Sequence, residues 1–155
     1  MKAEYLNCVM AGVLDVIDQC FHVECKKGKP YVYHYDINLN HLSAVIRMAG
    51  DKKGAFVIAL SEDDAKKMAS ALIMEEKQFL DKDVMDAIGE IINMISGSAK
   101  GKLTELGFTF KLSTPIFVLG KGTRLFKEVE YAPYICSFFN RSWRLYNTSI
   151  IEVIL

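Results

Sequence analysis

Glu90 and Asn93 are the pair in this sequence best suited to chemistry. Three residues apart on a helix, they share a face, so both side chains reach a single docked object. An asparagine amide carries a donor and an acceptor but has no useful pKa, which makes it a poor base and a good positioner of water. The Glu90 carboxylate supplies an anchoring charge for a lysine or arginine. Hydrolysis of a phosphoryl group with a good leaving group needs little more than an attacking water held in line and stabilised charge. One amide and one carboxylate on a helix therefore suit insertion of a water-positioning group into another protein's active site.

The element that must carry them is the longest helical pattern in the chain, Asp81 to Leu106, capped by Asp81 or Asp83 and ended by Gly107. At 100° per residue Val84, Ile88, Ile91, Ile95, Ala99 and Leu106 form a core-facing stripe. Asp86, Glu90, Asn93, Gly97 and Thr104 fall on the opposite side. Gly89, Gly97 and Gly101 lie inside the helix, and each costs about 0.8–1 kcal/mol relative to alanine. Such a cost points to close backbone approach, by a neighbouring helix or by an outside partner. For Gly89 and Gly101 both readings stand. Glu90 and Asn93 favour the outside partner, because an unpaired carboxylate is expensive to bury.

Around that helix the pattern alternates between helix and strand. Leu6, Val9, Met10, Val13, Ile17, Cys20 and Phe21 repeat at helical spacing, and Lys26 to Pro30 turns the chain. Tyr31–Ile37 alternates as a strand. Ser43–Ala49 and Ala55–Leu60 form an antiparallel hairpin across the Gly50–Gly54 turn. Ser61 caps a second helix that runs to about Met74 and buries Ala65, Met68, Ala69, Leu72 and Ile73. A polar link, Glu75 to Gln78, leads to the long helix. Phe108–Leu112, Ile116–Leu119 after the interruption at Pro115, Leu125–Tyr131, Tyr134–Phe139 and Trp143–Leu155 supply further strands. The expected fold is α+β, an α/β sandwich whose antiparallel sheet is packed by helices, in one domain spanning 1–155. Two halves of similar plan, roughly 1–60 and 81–155, suggest a pseudo-two-fold arrangement.

Composition narrows the functional classes. An apolar fraction of 51% with 25% charged residues describes a soluble globular protein. Nineteen basic residues balance nineteen acidic ones, which gives no support to nucleic-acid or anionic-membrane binding. No apolar run approaches the ~20 residues that span a bilayer. The first residues lack the layout of a signal peptide, so a cytoplasmic location is expected. The four cysteines, Cys8, Cys20, Cys25 and Cys136, form no CxxC pair. Cys20, His22 and Cys25 lack a second ligand pair at zinc-like spacing, so no metal site is expected. His34 and His41 are placed at sheet surfaces, away from any triad context.

Asp86-x3-Glu90-x2-Asn93, followed by Pro115, resembles the signature of the CheX/CheC/FliY phosphatases. The text from Asp86 to Lys100 is similar to CheX in particular, as are Gly28-Lys-Pro-Tyr31 and Leu119-Gly-Lys-Gly122, so the resemblance covers about residues 1–125. It implies dephosphorylation of phospho-aspartate on CheY-like response-regulator receiver domains. Asn93 would orient the attacking water and Glu90 would bridge to the receiver's active-site lysine. Asp86, Gly89, Gly97 and Pro115 would contribute to the partner-binding surface, the glycines by letting the receiver approach. The chain itself would bind no cofactor, and Mg²⁺ would be supplied by the receiver. CheX members form homodimers through their sheets.

A shorter copy, Glu4-x2-Asn7 with Pro30 downstream, also matches the bare pattern. It starts at the chain terminus and lacks an upstream Asp or Ser, and Asn7 suits a helix cap. One convincing copy favours the CheX type over CheC, whose members carry two active helices. Two other readings compete: a domain that docks a receiver without catalysis, and an unrelated enzyme using Cys20, His22 or Cys25.

Overall fold

The computed structural model describes residues 3–32, 37–38, 42–51, 54–120, 124–125, 134–139 and 150–154. The first apolar repeat folds as helix α1, Ala3–Phe21. Three short strands follow, β1 (Lys26–Lys27), β2 (Tyr31–Val32) and β3 (Ile37–Asn38). The hairpin forms as expected from β4 (Leu42–Gly50) and β5 (Gly54–Leu60). Helices α2 (Glu62–Ile73) and α3 (Lys82–Glu105) come next. Strands β6 (Phe110–Leu112), β7 (Ile116–Leu119), β8 (Arg124–Leu125), β9 (Tyr134–Phe139) and β10 (Ile150–Ile154) complete the described elements.

The main sheet runs β1-β9-β10-β5-β4-β6, with β2 also on β9 and β7 also on β4, and β3 pairs β8 separately. Every described pairing is antiparallel. The run Tyr31–Ile37, expected as one strand, is divided between these two sheets, since β2 pairs β9 and β3 pairs β8. His34, His41, residues 126–131 and the stretch 143–149 lie outside the described residues. β5 is buried at Phe56, Val57, Ile58, Ala59 and Leu60 alike, the continuous apolar run of a strand enclosed on both faces.

The helices cover one face of this sheet. Leu42, Ala44, Ile46 and Met48 of β4 and Phe56, Ile58 and Leu60 of β5 meet Val9, Val13 and Val16 of α1 and Ile88, Ile91, Ile92 and Ile95 of α3 in one core. α2 adds Ala65, Met68 and Ala69. Its predicted face ends one residue early: Leu72 packs at the core margin, but Ile73 is 37% exposed as the last helical residue. Ser61 caps α2, accepting from the Asp64 backbone N–H at 3.1 Å while its hydroxyl donates to Asp64 Oδ2 at 2.7 Å.

Candidate functional site

α3 is held at both ends. Asp81 is its N-cap, its side chain accepting from the Val84 backbone N–H at 2.9 Å. That bond and the nearby Lys77 ammonium hold the Asp81 carboxyl below its ordinary value. Lys77 in the α2–α3 link has a side chain only 8% exposed and meets three carboxylates: Asp83 at 2.6 Å, Glu75 at 3.4 Å and Asp81 at 3.6 Å. The hydrogen bond to Asp83, ahead of the other contacts, raises the lysine's pKa and keeps it charged. The main chain of Lys77 is also tied, its N–H donating to Ser70 Oγ at 2.8 Å. At the far end Lys102 Nζ reaches Asp15 of α1 at 2.8 Å.

Between these ends the two expected stripes are present. Val84, Ile88, Ile91, Ile95 and Ala99 are buried, and Ala87, Ile92, Ser96 and Leu103 widen the buried arc. Leu106 departs from the expectation at 46% exposed, and Leu103 takes its place in the core. The helix ends at Glu105, so the helical angle no longer sets the direction of Leu106. Asp86, Glu90, Asn93, Gly97 and Thr104 are all exposed. No described group forms a hydrogen bond or ion pair with the side chains of Asp86, Glu90 or Asn93. The main chain beneath Asn93 is engaged, its carbonyl accepting from buried Ser96 Oγ at 3.1 Å. Glu90 and Asn93 thus stand free on a rigid support, about 4.5 Å apart along the axis.

The three helix glycines have three different settings. Gly97 is exposed with nothing within 4 Å of an added Cβ, which leaves room for an approaching surface. Gly101 is equally open, and among the described residues nothing packs against it. Gly89 is buried, and an added Cβ would stand 3.2 Å from the Phe117 ring. The close approach at Gly89 is therefore made from inside, by β7, and the expected role of this glycine in letting an outside partner in is corrected accordingly. The tight helix–helix crossing falls on a residue that the periodicity did not single out. A Cβ on Gly12 of α1 would lie 2.9 Å from the Ala99 backbone nitrogen and 3.2 Å from the Ile95 carbonyl oxygen.

Phe117 also places Pro115. β6 and β7 cover successive stretches of β4, with the break between them at 113–115. Proline has no N–H for a ladder, and Ser113 carries the pairing across the gap. Its N–H donates to the Arg47 carbonyl at 3.0 Å, while its Oγ accepts from the Arg47 N–H at 3.0 Å and donates to the Thr114 carbonyl at 2.8 Å. Pro115 is half-buried, two residues before the ring that meets Gly89.

Other candidate chemistry gains no support from its surroundings. Among the described residues no group of three His, Cys, Asp or Glu side chains can hold a metal ion. Burial pushes the Cys20 thiol up, away from the nucleophilic thiolate, and its Sγ lies 3.8 Å from Met94 Sδ. Cys8 and Cys25 are half-buried and His22 is exposed. Glu4 and Asn7 are exposed on α1, with Asn7 inside the helix and not at its cap. Among the described residues no helix is long and apolar enough to cross a membrane.

Comparison with known proteins shows the family and the fold. Residues 42–139 match the family model described as chemotaxis phosphatase CheX. The CheY-P phosphatase CheX of Thermotoga maritima is 33% identical over 128 residues, 81% of each chain. Among solved structures, a CheC-like superfamily protein from Shewanella sp. PV-4 superimposes with a TM-score of 0.86 at 28% identity, covering 99% of this chain and 98% of that one. The chemotaxis protein CheX from Vibrio vulnificus gives 0.83 at 29% identity, covering 98% and 97%. A capped helix with a free Glu–Asn pair, layered on an antiparallel sheet that these relatives share, is thus found in a chain that belongs to the CheX family of chemotaxis phosphatases.

Proposed function

We propose that this chain is a single CheX-type domain, 1–155, that hydrolyses the phospho-aspartate of a CheY-like receiver. One observation carries the reading: Glu90 and Asn93 are exposed and unpartnered by described groups on a helix anchored at both ends. The Thermotoga relative's name, CheY-P phosphatase, supplies the substrate class. Glu90 anchors to a receiver lysine, which sets the register of α3 over the acyl phosphate. The Asn93 amide oxygen accepts a hydrogen bond from the attacking water and holds the water oxygen in line with phosphorus. As the new P–O bond forms, the bond to the receiver's carboxyl oxygen breaks, the aspartate leaves as carboxylate, and the water's protons stay with the inorganic phosphate product. Mg²⁺ bound by the receiver would supply positive charge to the phosphoryl oxygens, and among the described residues of this chain no cluster of ligands competes for it. Asp86, Gly97 and Pro115 border the pair and complete the contact surface. The protein works in the cytoplasm, in chemotaxis signalling, as a homodimer.

The test is the decay of a phosphorylated receiver with wild type and Asn93→Ala, beside affinity for the beryllofluoride-activated receiver. Loss of one oriented polar group costs about 3–4 kcal/mol of barrier, a 10²–10³-fold loss of rate. Affinity stays within about twofold, since the amide acts on the water and not on the anchor. Glu90→Ala weakens binding as well as rate. Equal decay rates with wild type and Asn93→Ala refute the catalytic role and leave a domain that only docks.

A further inference from the structure

The link between α2 and α3 presents two apolar side chains to solvent for which the fold offers no use. Met74 is 93% exposed and Phe79 is 77% exposed. Met74 is the C-cap of α2 in the left-handed region, φ 61°. That conformation favours glycine or asparagine and is unfavourable for a long side chain. Helix capping therefore does not explain methionine here, and core packing does not explain either residue. The segment is nonetheless firmly held. The Met74 N–H donates to the Ser70 carbonyl, the Lys77 N–H donates to Ser70 Oγ, and the Asp81 N–H donates to the Phe79 carbonyl at 3.0 Å. A rigid segment that projects methionine and phenylalanine has the make-up of an interface centre, where both types are enriched.

Its position relative to Glu90 follows from the Lys77–Asp83 bond of 2.6 Å. Asp83 and Glu90 are seven residues apart, so they lie on nearly the same side of α3, about 10 Å apart along the axis. Asn93 is about 15 Å from Asp83 on the same count. The bond therefore seats the link against the exposed side of α3, just beyond Asp86. A protein partner of ordinary interface size covers about 800 Å² per side, a patch roughly 30 Å across. Centred on Glu90 and Asn93, that footprint extends about 15 Å and so takes in Asp83, the residue to which Lys77 ties the link.

We infer that Met74 and Phe79 form an apolar docking ridge for the receiver domain whose phosphoryl group Asn93 addresses. The inference rests on the phosphatase reading for the identity of the partner. On this view the α3 stripe performs the chemistry and the ridge supplies affinity, with Lys77 as the strut that fixes one relative to the other.

The test uses the double variant Met74→Ser, Phe79→Ser in the full chain, with both residues exposed so that folding is spared. Its KM for the phosphorylated receiver rises about tenfold while the rate at saturating receiver is kept, and affinity for the beryllofluoride-activated receiver falls in parallel, each step of ten being the unit of a single good apolar contact. In a second variant, Phe79→Trp, the indole emission added to that of Trp143 shifts to the blue when the activated receiver is added. Unchanged KM and affinity in the double variant overturn the ridge and leave the phosphatase standing. A blue shift that appears with rising concentration of the variant alone, with no change on adding receiver, overturns it in favour of self-association. If wild type fails to accelerate decay the phosphatase reading falls, and the affinity comparison still decides the ridge.

Discussion

Replacing Gly12 by alanine tests whether the seating of α3 depends on one backbone contact. The added methyl carbon would lie 2.9 Å from the Ala99 nitrogen and 3.2 Å from both the Ala99 Cα and the Ile95 carbonyl oxygen. Relaxed carbon contacts need about 3.5–4.0 Å, so α1 and α3 must part by roughly 0.5 Å. All three atoms are main chain, so no side chain can swing aside. Overpacking of this kind costs about 1–3 kcal/mol. Alanine returns about 1 kcal/mol through helix propensity, which leaves a net loss of about 1 kcal/mol. Gly101→Ala is the matched control, since it has the same propensity gain and nothing within 4 Å. It should be more stable than wild type by about 0.8–1 kcal/mol. Urea unfolding followed by far-UV circular dichroism separates the two by about 2 kcal/mol, with unchanged slope. If Gly12→Ala is as stable as Gly101→Ala, the crossing is not under the constraint described.

Three further outcomes follow from the same contacts. Ser113→Ala should cost about 1 kcal/mol in denaturant unfolding, because its hydroxyl bridges Arg47 and Thr114 where Pro115 interrupts the ladder. Asp81 has a depressed folded pKa, so its contribution is present above the ordinary carboxylate value and is lost as pH falls through the folded one. Asp81→Asn should therefore flatten the acid limb of a thermal-stability profile below about pH 4. Lys77 has a raised folded pKa, so its contribution is complete below the ordinary lysine value and is lost as pH rises through the folded one. Lys77→Met should lower the melting temperature at neutral pH and remove part of the alkaline loss above about pH 10, as read by calorimetry.

The sequence by itself determined what depends on local repetition. A 3.6-residue period placed Val84, Ile88, Ile91, Ile95 and Ala99 inside and Asp86, Glu90, Asn93 and Gly97 outside, and the same rule held along α1. Alternation and a glycine turn gave the β4–β5 hairpin, because neighbours in the chain are also partners in the sheet. The Glu–Asn pair was legible for the same reason, since its geometry is internal to one helix. Leu106 marks where that logic stops, as helical angle loses meaning one residue past the last turn. Which glycine meets which neighbour was decided only by the tertiary structure. Gly89 receives Phe117 from β7, Gly12 receives Ala99 from α3, and Gly97 receives nothing. Each outcome depends on where elements distant in sequence cross, and no local period encodes that. The division of Tyr31–Val32 and Ile37–Asn38 between two sheets is set by long-range partners in the same way. The chain's own periodicity presents Glu90 and Asn93 on one exposed face, and long-range packing fixes the surface on which a partner would have to meet them.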